Sequence, residues 1–428
     1  MLAAKAESGM ATQAHERSTF FRQSGWLMIA NIGGGMLMWL VHFLNKIIPD
    51  TEYGVFGFLL TAVMLVPQMP IQMVFAQQTA RAIATNQTAQ LSGLIRRAWL
   101  GTFVVWILGL GALFVFQSWV MQRENLANPA GLWITMVAVL LSVWMPLFWG
   151  VLQGQQNFLW LGWSMISNGI GRLTIATAVV LLVRKLAASN WYAPGMLIGV
   201  AAGVALAVTL AIWHTRGLWR LRPERFDWGA LARQVIPLLL AFFGFQVLFT
   251  ADTLFVQAYF PDQTDFYVSA GTLSRALMWL VGPLAAVMFP RLVHSAAKGE
   301  KQNLMGLVLI GTAILAGVGA LGLSLVGPLV VKLVYKETFV KVAASLLPWY
   351  AGAMLPLSLA NVLLNDLLAK PSAKGALGAA VFSLCILYAV TLTQFHKSLV
   401  GVLQIVCIFN VSLLLVCTYF TWRAKKVA

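Results

Sequence analysis

Residues 45–70, NKIIPDTEYGVFGFLLTAVMLVPQMP, and residues 256–284, VQAYFPDQTDFYVSAGTLSRALMWLVGPL, read as two versions of one hairpin. Each leaves an apolar helix through a Pro-Asp turn, meets an aromatic residue, and carries a proline well inside the next apolar run. Pro49-Asp50 corresponds to Pro261-Asp262, Tyr53 to Phe266 or Tyr267, and Pro67 to Pro283, at an offset close to half the chain. Self-similarity on that scale predicts a chain built of two like halves.

The flanking sequence puts both hairpins in a membrane. Of 428 residues, 60% are hydrophobic and only 10% charged, and the mean hydropathy is +0.81, outside the range of a soluble globular chain. Crossing a hydrocarbon core of about 30 Å takes about 20 apolar residues as a helix. About twelve such runs fill the sequence, at 24–48, 53–80, 98–120, 132–152, 159–183, 194–213, 235–260, 266–290, 304–326, 343–368, 375–393 and 399–422, with room for up to fourteen. The expected fold class is an all-α polytopic membrane protein, its helices in two pseudo-symmetric bundles around a central cavity. Six helices per half start each half on the same side, so the repeat is parallel and its axis lies along the membrane normal. The expected organisation is an N-terminal tail (1–23), a six-helix lobe (24–214), a basic amphipathic linker (215–234), a second six-helix lobe (235–422) and a short tail (423–428).

Lysine and arginine gather between alternate spans. One side holds Arg81, Arg96, Arg97, the run from Arg216 through Arg220, Arg222 and Arg225 to Arg233, then Arg291, Lys298, Lys301, Lys370 and Lys374. The other holds Lys46, Arg123, Arg184, Lys185, Lys332, Lys336, Lys341 and Lys397. The positive-inside rule therefore predicts that both termini are cytoplasmic. The formal net charge of +16 is the sum of these short flanks, which suit anionic headgroups and not nucleic acid. The first apolar run begins too late and runs too long for a cleaved signal peptide. Cys385, Cys407 and Cys417 all fall in apolar spans with no CxxC pair, and read as packing residues.

Polar residues inside the spans mark the candidate site, because charge in hydrocarbon is costly and faces a bundle interior or water. Arg275 lies about halfway along the eighth span, and Asp252 lies at a similar depth in the seventh, each about 11 or 12 residues from the hairpin centre. An ion pair between them offsets much of the cost of burying either; a coupling proton or sodium ion is the other role open to Asp252. In the fifth span Ser164, Asn168 and Arg172 recur every four residues and share one helical face. Gln68 and Gln72, Gln246 with Thr250, Thr253 and Gln257, and Asn361 with Ser358 and Asn365 form similar stripes. Guanidinium groups match phosphate oxygens, so a cavity with Arg172 and Arg275 selects an anion such as pyrophosphate. No GxxxxGK[ST] loop and no HExxH pair is present, and the five histidines lack metal-ligand spacing. The expectation is a transporter with no catalytic residues, no metal and no cofactor beyond a coupling ion, H⁺ or Na⁺.

Four stretches in order, YGVFGFLLTAVMLV, GVLQGQQNFLWLGWSMISNGIGRLTIATAVVLL, ADTLFVQAYFPDQTDFYVSAGTLSRAL and PLVVKLVYKETFVKVAASLLPWYAGAMLPLSLANVLL, resemble bacterial polysaccharide-biosynthesis flippases. These belong to the multidrug/oligosaccharidyl-lipid/polysaccharide transporter (MOP) superfamily. The resemblance implies a two-lobed, alternating-access flippase in the bacterial cytoplasmic membrane. It implies an undecaprenyl-pyrophosphate-linked glycan as partner, with Arg172 and Arg275 receiving the pyrophosphate, and contact with other polysaccharide-assembly membrane proteins. Two rivals stay open: an ion-coupled exporter of drugs or small metabolites from the same superfamily, which calls for carboxylates in the cavity, and a membrane glycan polymerase or ligase, which calls for a large external loop.

Overall fold

The computed structural model describes residues 25–224, 226, 228–278, 304–369 and 374–427. The tail 1–23, the later part of the eighth span with Pro283, and the basic flank Arg225, Arg291, Lys298, Lys301 and Lys370 lie outside the described residues.

All regular structure among the described residues is helical. In chain order the α-helices are α1 (25–40), α2 (Asp50–Met64), α3 (Gln68–Ala84), α4 (Thr88–Arg123), α5 (Ala130–Gly154), α6 (Phe158–Lys185) and α7 (Tyr192–Trp219) in the first half. The second half holds α8 (Trp228–Thr250), α9 (Asp252–Tyr259), α10 (264–278), α11 (Leu304–Val334), α12 (Thr338–Ala369), α13 (Lys374–Gln394) and α14 (Leu399–Val427). Eleven stretches among the described residues are long and apolar enough to cross a membrane, and α10 covers the described start of the predicted span 266–290. Most of the predicted linker 215–234 instead belongs to the ends of α7 and α8, leaving only about 220–227 between them.

Local sequence explains the helix ends and breaks. Helices α3 to α6 each stop at a residue with positive φ, Asn86, Asn125, Gln156 and Ala187, the left-handed close that satisfies terminal carbonyls. The second span is one apolar run but two helices, because Pro67 has no N–H and cannot continue the ladder. Gln68 N–H turns back to Val66 O instead of Met64 O, and the freed Met64 carbonyl accepts Gln246 Nε2 at 2.6 Å. Residues 235–260, predicted as one continuous helix, also break, between α8 and α9. Leu254 N–H bonds Ala251 O, which leaves the carbonyls of Phe249 and Thr250 without helical partners.

Helices α3, α5, α6 and α7 pack on one another, as do α8 and α11 to α14, and α2 meets α9 and α8 across the halves. One apolar core runs through both sets. The turns after Ile47, Arg123, Lys185, Tyr259, Val334 and Gln394 gather on one face, called here the far face. Lys336 reaches Asp50, Asn128 Nδ2 reaches Asn190 O, and His396 stacks on Tyr259.

Candidate functional site

Arg275 occupies the break in the seventh span. Its Nε donates to Phe249 O at 3.0 Å, and its Nη2 lies 3.5 Å from Thr250 O, 3.0 Å from Thr253 Oγ1 and 2.7 Å from Asp252 Oδ1. The second Asp252 oxygen accepts Tyr267 Oη at 2.7 Å and also the Tyr350 hydroxyl. The rings of Phe249 and Tyr350 approach the guanidinium, 5.8 and 5.3 Å from its carbon. Asp252 and Arg275 are both buried. This answers why a guanidinium stands midway along a membrane helix: it replaces the backbone donors that the break removed, and Asp252 balances its charge.

Arg172 is held differently. Gly203 of α7 has no Cβ, and one placed there would sit 2.7 Å from the Arg172 backbone nitrogen; small residues of this kind let α6 and α7 approach closely. The arginine is 9% exposed, its Nε has no hydrogen-bond partner, and no carboxylate lies within ion-pair distance of it among the described residues. One turn earlier, buried Asn168 spends Nδ2 on a 3.7 Å contact with Met145 Sδ and leaves Oδ1 unpaired. Two unsatisfied buried groups on one helical face, one cationic, call for a partner that the described residues do not supply. A turn further back, Ser164 is differently placed: its hydroxyl donates to Ala207 O at 2.8 Å and accepts Trp149 Nε1 at 2.6 Å, tying three helices together.

The charge of Arg172 acts on His42 and Tyr53. His42 Nδ1 and Tyr53 Oη are 2.8 Å apart, and Tyr53 Oη and Tyr335 Oη 3.1 Å apart, with the Thr272 side chain close to both tyrosines. Thr272 lies less than one turn before Arg275, so the two cations flank a single belt of hydroxyl groups that crosses from one half to the other. Tyr335 and Thr272 carried no sequence signal, since a lone tyrosine or threonine in an apolar run reads as packing. Tyr53 was visible only as a repeat marker, and His42 only as one of five histidines without metal-ligand spacing.

The remaining predicted residues are spread. Gln72 Nε2 donates to Gln153 Oε1 at 3.0 Å within the first half, Gln246 bridges the halves at Met64, and Asn361 accepts from Asn365 Nδ2 through both its carbonyl and its Oδ1, at 2.8 and 3.0 Å. Gln68 is partly buried at the start of α3. A cavity of about 190 Å³ on the far face is lined by Glu52, Asn125, Asn128 and Asn190 among others, and by none of the predicted site residues.

Polar contacts between the halves cluster toward the far face. Lys336 Nζ lies 2.6 Å from Asp50 Oδ1 and also bonds Ile48 O. Gln257 Nε2 donates to Glu124 O at 2.9 Å, and the Arg123 guanidinium lies 5.2 Å from the Tyr259 ring centre. Burial raises the Glu124 carboxyl above the usual carboxylate range, and Arg123 partly opposes it. Beneath these contacts α2 lies directly on α10: a Cβ on Gly57 would fall 2.3 Å from Val268 Cγ1, and one on Gly54 would fall 3.0 Å from the Asp265 nitrogen. The two repeated hairpins thus close on each other at this face.

No curated protein matches this chain. Among solved structures, the lipid II flippase MurJ in an inward closed conformation superposes with TM-score 0.64 at 13% identity, over 93% of this chain and 87% of that one. An inward-facing multidrug resistance MATE family transporter gives 0.60 at 9% identity over 94% of each chain. A MOP superfamily transporter from Pyrococcus furiosus gives 0.55 at 10% identity over 95% of each. At these identities the likeness is one of fold. The sequence itself matches the family described as polysaccharide biosynthesis protein over residues 20–295. With more than half of its length so matched and the fold of MOP superfamily transporters around its paired hairpins, the chain belongs to the polysaccharide biosynthesis protein family.

Proposed function

We propose that this protein is an alternating-access flippase that carries a polyprenyl-pyrophosphate-linked oligosaccharide across the bacterial cytoplasmic membrane, with both termini in the cytoplasm and the far face outward. The observation that carries the reading is Arg172: a buried guanidinium with, among the described residues, no carboxylate partner and an unsatisfied Nε, beside an unsatisfied amide oxygen on Asn168. An isolated cation in a membrane interior is retained at a cost, and a diphosphate that arrives and leaves restores its missing hydrogen bonds in each cycle. Asn168 and the His42–Tyr53–Tyr335 belt supply neutral donors and acceptors for the adjoining sugar, while the prenyl tail stays in lipid between the halves. In this reading Arg275 and Asp252 are positioning residues that hold the seventh span broken, and the anion is received by Arg172. The carboxylate of Asp252 is already engaged by a guanidinium and two phenols, which disfavours export of organic cations.

The test is complementation in the native host with Arg172→Ala and Arg172→Lys, scoring surface polysaccharide and membrane abundance of the protein. Arg172→Ala should lose the polysaccharide at normal abundance, with lipid-linked glycan accumulating on the cytoplasmic side, and Arg172→Lys should retain part of the activity. Normal polysaccharide in Arg172→Ala would remove the reading.

A further inference from the structure

Asp265 stands in the turn that opens α10, just ahead of the predicted span 266–290, and is only 6% exposed. Its Oδ1 is buried without a hydrogen-bond partner. It lies against the first turn of α2, where Gly54 packs on its backbone, so the environment of this carboxyl exists only while the two hairpins are closed on each other.

The charged groups around it come from three elements. From α2 comes Asp50, whose negative charge acts on Asp265; Glu52 is turned aside to the Ala193 N–H of α7 at 2.8 Å. From the turn before α12 comes Lys336, already bonded to Asp50 and Ile48 O, while Glu337 pairs with Lys332 at 3.0 Å. In its own turn Asp262 is exposed. Two carboxylates therefore share one ammonium in the seam, and that ammonium is spent on Asp50.

We propose that Asp265 is a proton-binding site at the far-face seam, loaded from the compartment on that face when the halves close there. A proton leaves hydronium or a buffer acid and bonds the Asp265 carboxylate; the neutral acid no longer repels Asp50, and Lys336 is left opposite a single carboxylate. No other ion is consumed. The inference rests on the alternating-access reading above and adds to it a link between far-face closure and external pH. It also moves the candidate coupling group from Asp252, which is engaged, to a carboxyl with an open valence.

Burial, more than the neighbouring Asp50 charge, lifts the Asp265 carboxyl from 3.8 to about 6 in the closed form, against the opposing backbone N–H of Phe266 and Lys336. A group whose pKa is raised in one state favours that state in acid. The preference for closure is complete below about pH 4, falls as pH rises through 6, and spans up to about 100-fold in the closed-to-open ratio.

The experiment is a distance measurement between spin labels at Lys185 and Lys397, exposed on the far face of the first and second halves, in the full-length protein in nanodiscs, where buffer reaches both faces. Wild type should gain the short-distance population as pH falls from about 7 to about 4. Asp265→Asn should hold that population at every pH, and Asp265→Glu should restore the pH response. A wild-type response retained in Asp265→Asn overturns the assignment, and so does a response to sodium at fixed pH in place of one to protons. Lys336→Ala, which removes the ion pair across the seam, separates the two levels of argument. If it lengthens the distance while wild type ignores pH, the proton site alone fails. If no variant shows a second distance, alternating access fails with it.

Discussion

Removing Arg275 tests the account of the seventh span most sharply. Arg275→Met keeps a similar reach and apolar stem but deletes the donors to Phe249 O, Thr250 O, Thr253 Oγ1 and Asp252 Oδ1. Breaking a buried ion pair from one side costs about 3–5 kcal/mol. The two tyrosine hydroxyls still bonded to Asp252 Oδ2 place the carboxylate's share at the lower end of that range. The two orphaned carbonyls add about 1–3 kcal/mol each where they stay dry, so a total of about 5–9 kcal/mol is expected, large against typical domain stability. Asp252→Asn leaves a buried cation and should cost about 2–4 kcal/mol, since Arg275 keeps its backbone acceptors. Asp252→Asn with Arg275→Gln removes both charges and leaves amides able to bond, and should recover about 2–3 kcal/mol relative to the sum of the single changes. Thermal unfolding of the purified proteins in one detergent at one scan rate, with Arg275→Gln as the matching single variant, closes the cycle: the double variant should lose less than the two single changes summed. Additive losses would refute the idea that the pair and the helix break form one unit.

Three further outcomes follow from the same geometry. Arg172→Met deletes a buried charge with no ion-pair partner among the described residues, so its melting temperature should equal or exceed that of wild type even as polysaccharide export is lost; a drop of several degrees would mean that Arg172 has a structural partner. Gly57→Ala pushes a methyl group into Val268 and should cost about 1–3 kcal/mol, with Val268→Ala restoring stability in the double variant; an unchanged melting temperature would show that the hairpins do not touch as described. Gln246→Leu orphans the Met64 carbonyl and should cost about 1–3 kcal/mol, whereas Pro67→Ala supplied together with it lets a helical N–H reach that carbonyl and should return most of the loss, read by the same unfolding assay.

The membrane class, the order of the spans, the paired hairpins and the depth of Asp252 against Arg275 were all legible in the sequence. Each depends on local properties: apolar run length, the missing N–H of Pro67, and the equal residue counts on either side of Pro261. The break between α8 and α9 was not legible, because residues 249–252 contain neither proline nor glycine and only the hydrogen bonds from Arg275 make an interrupted ladder affordable. The belt of Tyr53, Tyr335 and Thr272 was hidden for a similar reason, its members being up to 282 residues apart.

Sequence alone therefore determined that two arginines lie within the membrane, and tertiary structure decided that they do different things. The physical reason is satisfaction. Whether a buried guanidinium is spent or free depends on which carbonyls a helix break exposes and which carboxylate packs beside it, and neither is a property of the residue's own neighbours in the chain. Arg275 finds its acceptors in the broken seventh span, while Arg172, pressed between α6 and Gly203 of α7, keeps a donor that nothing else in the described chain takes up.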